Sequence, residues 1–85
     1  MGARLTKHCR DRMAQRGVDE ESIRATLDGP DRKVPDPGEG SMLFLKAFGD
    51  RTLKVWVVWP PRNPKAMIVK STAWKGERDA DQHQG

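Results

Sequence analysis

Eighty-five residues, 35% hydrophobic and 33% charged, can form one domain at most and are too apolar and patterned for a disordered chain. Sixteen Lys and Arg against 12 Asp and Glu leave a formal net charge of +4, a balance that favours polyanions such as RNA or DNA or simply gives a soluble basic surface. The single cysteine, Cys9, excludes an internal disulfide or a cysteine zinc cluster, and the longest apolar run, Val55 to Trp59, is too short to cross a membrane.

Thr6 is suited to cap a first helix over Lys7 to Arg16, which Gly17 stops. Asp19 caps a second helix, Glu20 to Asp28, with acidic residues in the first turn where the helix dipole favours them. Residues 29–40, GPDRKVPDPGEG, hold three prolines and three glycines and read as a loop, with at most a short extended piece at Lys33-Val34. Strands follow at Ser41 to Phe48, Arg51 to Trp59 and Ala66 to Trp74. Gly49-Asp50 suits a two-residue hairpin with glycine first. The expected fold class is α+β, with two N-terminal helices packed on a three- to four-stranded antiparallel sheet. The expected domain covers residues 1–75, and residues 76–85 read as a flexible polar tail. No signal peptide is recognised, and the expected compartment is the cytoplasm. A domain this small has a thin margin of stability, which makes a homodimer contact or a partner chain unsurprising.

At about 100° per residue, Leu5, Cys9 and Met13 form one apolar stripe on the first helix. His8, Arg12 and Arg16 run along the edge of that stripe at i, i+4 and i+8. Arginine is rarely buried without a partner. Either the two guanidiniums snorkel or pair with carboxylates elsewhere, or they clamp a phosphate beside a histidine able to move a proton near neutral pH.

The sheet supplies a second candidate cluster. The first hairpin pairs Phe48 with Arg51, Lys46 with Leu53 and Phe44 with Val55. The second is expected to pair Arg51 with Trp74, Leu53 with Thr72 and Val55 with Lys70. One face then carries Met42, Val57 and Ile68 at one end and Lys46, Arg51, Lys70, Thr72 and Trp74 at the other. The alternative is that this face is merely the wetter one and that Leu43, Leu45, Trp56, Val58, Met67 and Val69 lie under the helices. Trp56 reads as core, and Trp74, at a strand end, either covers the core or stacks on a base. No phosphate-binding loop, dinucleotide fingerprint or HExxH is present, and no carboxylate pair is placed for metal chemistry, so no metal or cofactor is expected.

The succession KHCRDRMAQRGVDEESIRATLDGP (Lys7 to Pro30), RTLKVWVVW (Arg51 to Trp59) and MIVKSTAW (Met67 to Trp74) resembles the bacterial domain-of-unknown-function 4258 family. That family is grouped with the barnase–EndoU–colicin–RelE (RelE-like) ribonuclease toxin folds. The family pattern falls on His8, Arg12, Arg16, Gly17, Pro30, Thr72 and Trp74. Trp74 stands where the family more often has tyrosine, and Lys70-Ser71 interrupts a usually apolar run. The resemblance implies a metal-independent endoribonuclease of toxin type that cleaves RNA by 2′-hydroxyl attack. His8, Arg12, Arg16 and Thr72 would be its catalytic residues. Lys46, Arg51, Lys70 and Trp74 would be its RNA-binding residues, and a small acidic antitoxin protein its partner. The alternative is a non-catalytic RNA-binding or protein-interaction module of the same fold.

Overall fold

The computed structural model describes residues 2–63 and 65–76. Thr6 has extended backbone, and its Oγ1 accepts a hydrogen bond from the Cys9 N–H at 3.0 Å, which starts helix α1, Lys7–Arg16. Gly17, at φ 66°, closes α1 in the left-handed region, its N–H donating to the Met13 carbonyl. The Asp19 carboxylate accepts from the Ser22 N–H at 2.9 Å and caps α2, Glu20–Asp28. Both helices lie where the residue spacing predicts.

The sheet differs from the expectation. Five strands, β1 (Gly2–Leu5), β2 (Arg32–Asp36), β3 (Ser41–Phe48), β4 (Arg51–Val58) and β5 (Ala66–Trp74), lie in the order β1-β5-β4-β3-β2. The chain therefore begins with a strand rather than a helix, and the sheet is mixed: β1 runs parallel to β5, from Gly2 opposite Ala66 to Leu5 opposite Val69. This replaces the predicted pair of N-terminal helices on an antiparallel sheet of three or four strands. The four residues GARL are too few to show a period of two, and their partner lies at the other end of the chain. β2 arises within the proline-rich segment read as a loop. It is an edge strand, where only alternate N–H groups face a neighbour, so Pro35 is tolerated.

The β3–β4 hairpin has the predicted register, with Phe48 opposite Arg51, and Gly49 at φ 70° in its turn. The β4–β5 register lies two residues from the predicted one: Leu53 faces Trp74 and Val55 faces Thr72. A two-residue shift preserves faces, so Thr72 and Trp74 stay on the side of Leu53 and Val55. Trp56 then faces Ser71 while Val57 faces Val69, which makes Lys70 the extra residue of a bulge. The bulge brings Met67 and Val69 onto the Leu53 face and sends Ile68 to the other, correcting the predicted grouping of Ile68 with Val57.

Cys9 from α1, Val18, and Ile23 and Leu27 from α2 pack on Phe44, Leu53, Val55, Val57, Met67, Val69 and Trp74. The helices thus cover one face of the sheet. Among the described residues, none of the helices covers the opposite face, where Thr52, Lys54, Trp56 and Val58 alternate with the buried residues of β4 and remain half-buried. No helix among the described residues is long and apolar enough to cross a membrane. The tail predicted for residues 76–85 lies, from residue 77 onward, outside the described residues.

Candidate functional site

The bulge organises the bare face. It sets Lys70 and Ser71 together opposite Trp56. As the chain leaves β1, the Thr6 N–H donates to the Val69 carbonyl at 3.2 Å and Thr6 Oγ1 to the Lys70 carbonyl at 3.3 Å. The first turn of α1 is thereby fixed beside the bulge, and His8 stands at the margin of the bare face. Across the sheet, a single 3-10 turn, Pro37–Glu39, joins β2 to β3. Between the two margins lies a cleft of about 520 Å³, walled by Thr6 and His8 on one side, Asp36, Glu39 and Ser41 on the other, with Trp56, Val58, Ile68, Lys70 and Ser71 from β4 and β5.

Lys70 spans this cleft. Its Nζ donates to Ser41 Oγ at 2.6 Å and to the Glu39 carbonyl at 3.2 Å. His8 is exposed, and its Nε2 accepts a hydrogen bond from Arg12 Nε at 3.3 Å. Arg12 also donates from a terminal nitrogen to Gln15 Oε1 at 3.0 Å, which fixes its guanidinium along the helix. Nε2 therefore faces the permanently charged Arg12 guanidinium.

The predicted site residues divide between the two faces. His8 and Lys70 meet at the cleft, with Arg12 behind His8. Arg16 lies about 12 Å from His8 along the helix axis at 1.5 Å per residue. Its carbonyl accepts from Trp74 Nε1 at 3.0 Å on the covered face. Trp74 is buried, with the Arg51 guanidinium 3.9 Å from its ring centroid and Phe48 edge-on at 6.3 Å. Thr72 has no accessible surface, and its hydroxyl donates to the Lys54 carbonyl at 2.8 Å. Lys46 Nζ donates to the Gly29 carbonyl at 3.1 Å, placing a cation at the C-terminal end of α2, where the dipole favours it. The convergence predicted for Lys46, Arg51, Lys70, Thr72 and Trp74 is formed in part: Arg51 packs on Trp74 with Lys46 and Thr72 on the same helix-covered face, while Lys70 crosses to the cleft.

Trp56, Ser41, Ser71, Thr6, Asp36 and Glu39 were not expected in the site. The signal that could have found it is the polar pair Lys70-Ser71 inside an apolar run, since a bulge is what puts two consecutive polar residues on one face.

Two titrations depart from ordinary values, both outside the cleft. Burial pushes the Cys9 thiol up, against the opposing charge of Arg10. The side-chain hydrogen bond with Ser22, joined by the Ser22 N–H, holds the Asp19 carboxyl down. Among the described residues, no three of His, Cys, Asp and Glu gather closely enough to hold a metal ion.

Compared with known families, the chain matches the model described as a domain of unknown function, DUF4258, over residues 5–74. No curated protein matches it. No solved structure matches it.

Proposed function

The chain belongs to the DUF4258 family, and on that footing we propose that it is an RNA-directed domain of the ribonuclease toxin type, akin to the barnase–EndoU–colicin–RelE folds and acting in the cytoplasm. The observation that carries this reading is the placement of His8, paired with Arg12 through Nε2, at the rim of a cleft that Lys70 also lines. A phosphate entering there would draw the Arg12 guanidinium from Nε2 into a paired contact with its own oxygens. The freed nitrogen would take the proton of the 2′-hydroxyl. The 2′-oxygen attacks the adjacent phosphorus, the bond to the 5′-oxygen breaks, and that oxygen takes a proton from water, leaving a 2′,3′-cyclic phosphate. Arg12 and Lys70 would offset the charge gathering on the phosphoryl oxygens. No step needs a metal.

A second reading is a non-catalytic RNA-binding module. It is favoured by the burial of Thr72, whose hydroxyl is spent inside the sheet, and by the separation of Arg16 from His8. Under the toxin reading the partner is a small acidic protein that covers the cleft.

Single-turnover cleavage of labelled single-stranded RNA in EDTA, run beside a binding titration, separates the two. His8→Ala should lose a factor on the order of 100 to 10,000 in rate while binding survives. Equal rates for wild type and variant remove His8 from the mechanism. No cleavage by the wild type over a broad panel of RNAs favours the binding module. RNA affinity that does not fall between low and moderate salt sinks both.

A further inference from the structure

We infer that Trp56 is a base-stacking platform, so that the cleft takes unpaired nucleotides rather than a duplex; this rests on the RNA-directed reading of the cleft. The three tryptophans are in different situations. Trp74 is spent: it is buried, Phe48 meets it edge-on, and its Nε1 is bonded to the Arg16 carbonyl. Trp59 stands edge-to-face with Phe44, 6.4 Å between centroids, in a separate hollow beside α2. Trp56 alone of the three lines the cleft that holds His8 and Lys70.

Its placement follows from the sheet. Trp56 alternates with Val55 and Val57, which are fully buried beneath the helices, so its indole projects from the bare face. The bulge opposite it spreads Lys70 and Ser71 along the same face. Lys54, two residues earlier and about 6.7 Å away along the strand, puts its ammonium 5.3 Å from the Trp56 ring centroid. The Lys54 ammonium lies over the ring on a flexible four-carbon stem that a stacking base would move aside to the backbone, and with Lys70 on the next strand this is what a stretch of bases and phosphates requires. The ring offers a stacking surface indifferent to base identity, and the ammonium groups meet the backbone on either side of the stacked base. A duplex keeps its base faces stacked on one another and has none to offer.

The test uses the full chain and short 2′-O-methyl oligonucleotides, which lack the attacking hydroxyl and stay intact. Affinity is measured for a base-bearing single strand, an abasic strand of equal length and a duplex. The wild type should bind the base-bearing strand about 5- to 150-fold tighter than the abasic one, and the duplex no better than the abasic strand. Trp56→Leu should erase that preference, leaving affinity at the abasic level, while Trp56→Phe keeps most of it. Thermal melts check that each variant folds. If Trp56→Leu does not fold, the wild-type ratio and Trp56→Phe decide the matter. Binding that is equal for base-bearing and abasic strands overturns the stacking role and leaves the cleft reading intact. A preference that survives in Trp56→Leu does the same. Binding to none of the three overturns the RNA-directed reading and this inference with it.

Discussion

On the helix-covered face of the sheet Leu53, Val55 and Val57 have no accessible surface, whereas Thr52, Lys54, Trp56 and Val58, their neighbours on the same strand, stay half-buried. Both faces carry polar and aromatic side chains, and they use them differently. On the covered side each polar group is closed into an internal contact: Thr72 with the Lys54 carbonyl, Trp74 with the Arg16 carbonyl, Lys46 with the Gly29 carbonyl. An unsatisfied buried donor would cost about 1–3 kcal/mol, so burial and pairing arrive together. On the bare side the groups stand at the wall of a cleft. Lys70 at the cleft is hydrogen-bonded as Lys46 on the covered side is, so what separates them is the face each occupies, and residue type alone does not say which.

The largest effect that can test this comparison is in the core. Leu53→Ala should lower unfolding stability by about 2–5 kcal/mol. Leu43→Ala, on the bare face, should cost about 1 kcal/mol, since only part of its side chain leaves water. Comparable losses in denaturant titrations would show that the bare face is covered after all. Next comes Trp74→Phe, which removes the bond to Arg16 and part of the indole volume. Roughly 2 kcal/mol is expected, with affinity for single-stranded RNA unchanged. Weaker RNA binding at unchanged stability would move the site to the covered face.

Local signals made much of this fold legible. Thr6, Gly17, Asp19 and Gly49 act through their own neighbours in sequence, and both helices and the first hairpin lie where those residues place them. The remainder depends on contacts distant in the chain. Gly2–Leu5 becomes a strand only because β5 offers it an edge. The β4–β5 register is set by the connection between the two strands and by a bulge, and neither has a composition signature as sharp as Gly49-Asp50. The bulge then decided the site. It parted Lys70 from Thr72 and Trp74 and set Lys70 beside Trp56, which alternation with the buried Val55 and Val57 had already put on the bare face. His8 and Arg12 were legible as a pair because four residues is one helical turn. Their separation from Arg16 is equally a matter of helix length, but which end faces the cleft was settled by Thr6 and β5.

A smaller effect concerns Thr72. Thr72→Val keeps the shape and removes the hydroxyl that donates to the Lys54 carbonyl. About 1 kcal/mol of stability should be lost, with RNA binding and any cleavage unaffected. A rate that falls while the melt is unchanged would give Thr72 a role at the phosphate and break the division of the faces.

The smallest effect tests how dry the covered face is, through Cys9. Its side chain lies within the core, and burial raises its thiol above the ordinary value while Arg10 pulls the other way. Below the unfolded thiol's pKa of about 8.5, both folded and unfolded chains hold the proton and the contribution is fully present. As pH rises past that value the unfolded thiol ionises first. The unfolded state then binds fewer protons than the folded one, so stability falls with pH until the folded thiol also ionises. Cys9→Ala lacks this term but shares every lysine titration with the wild type. Melting temperatures measured from neutral pH into the alkaline range should therefore fall more steeply for the wild type than for Cys9→Ala, with the two curves departing near the unfolded thiol value. Parallel curves would mean that the Cys9 thiol is as well solvated in the fold as in the unfolded chain, and that water reaches the face the helices are held to seal.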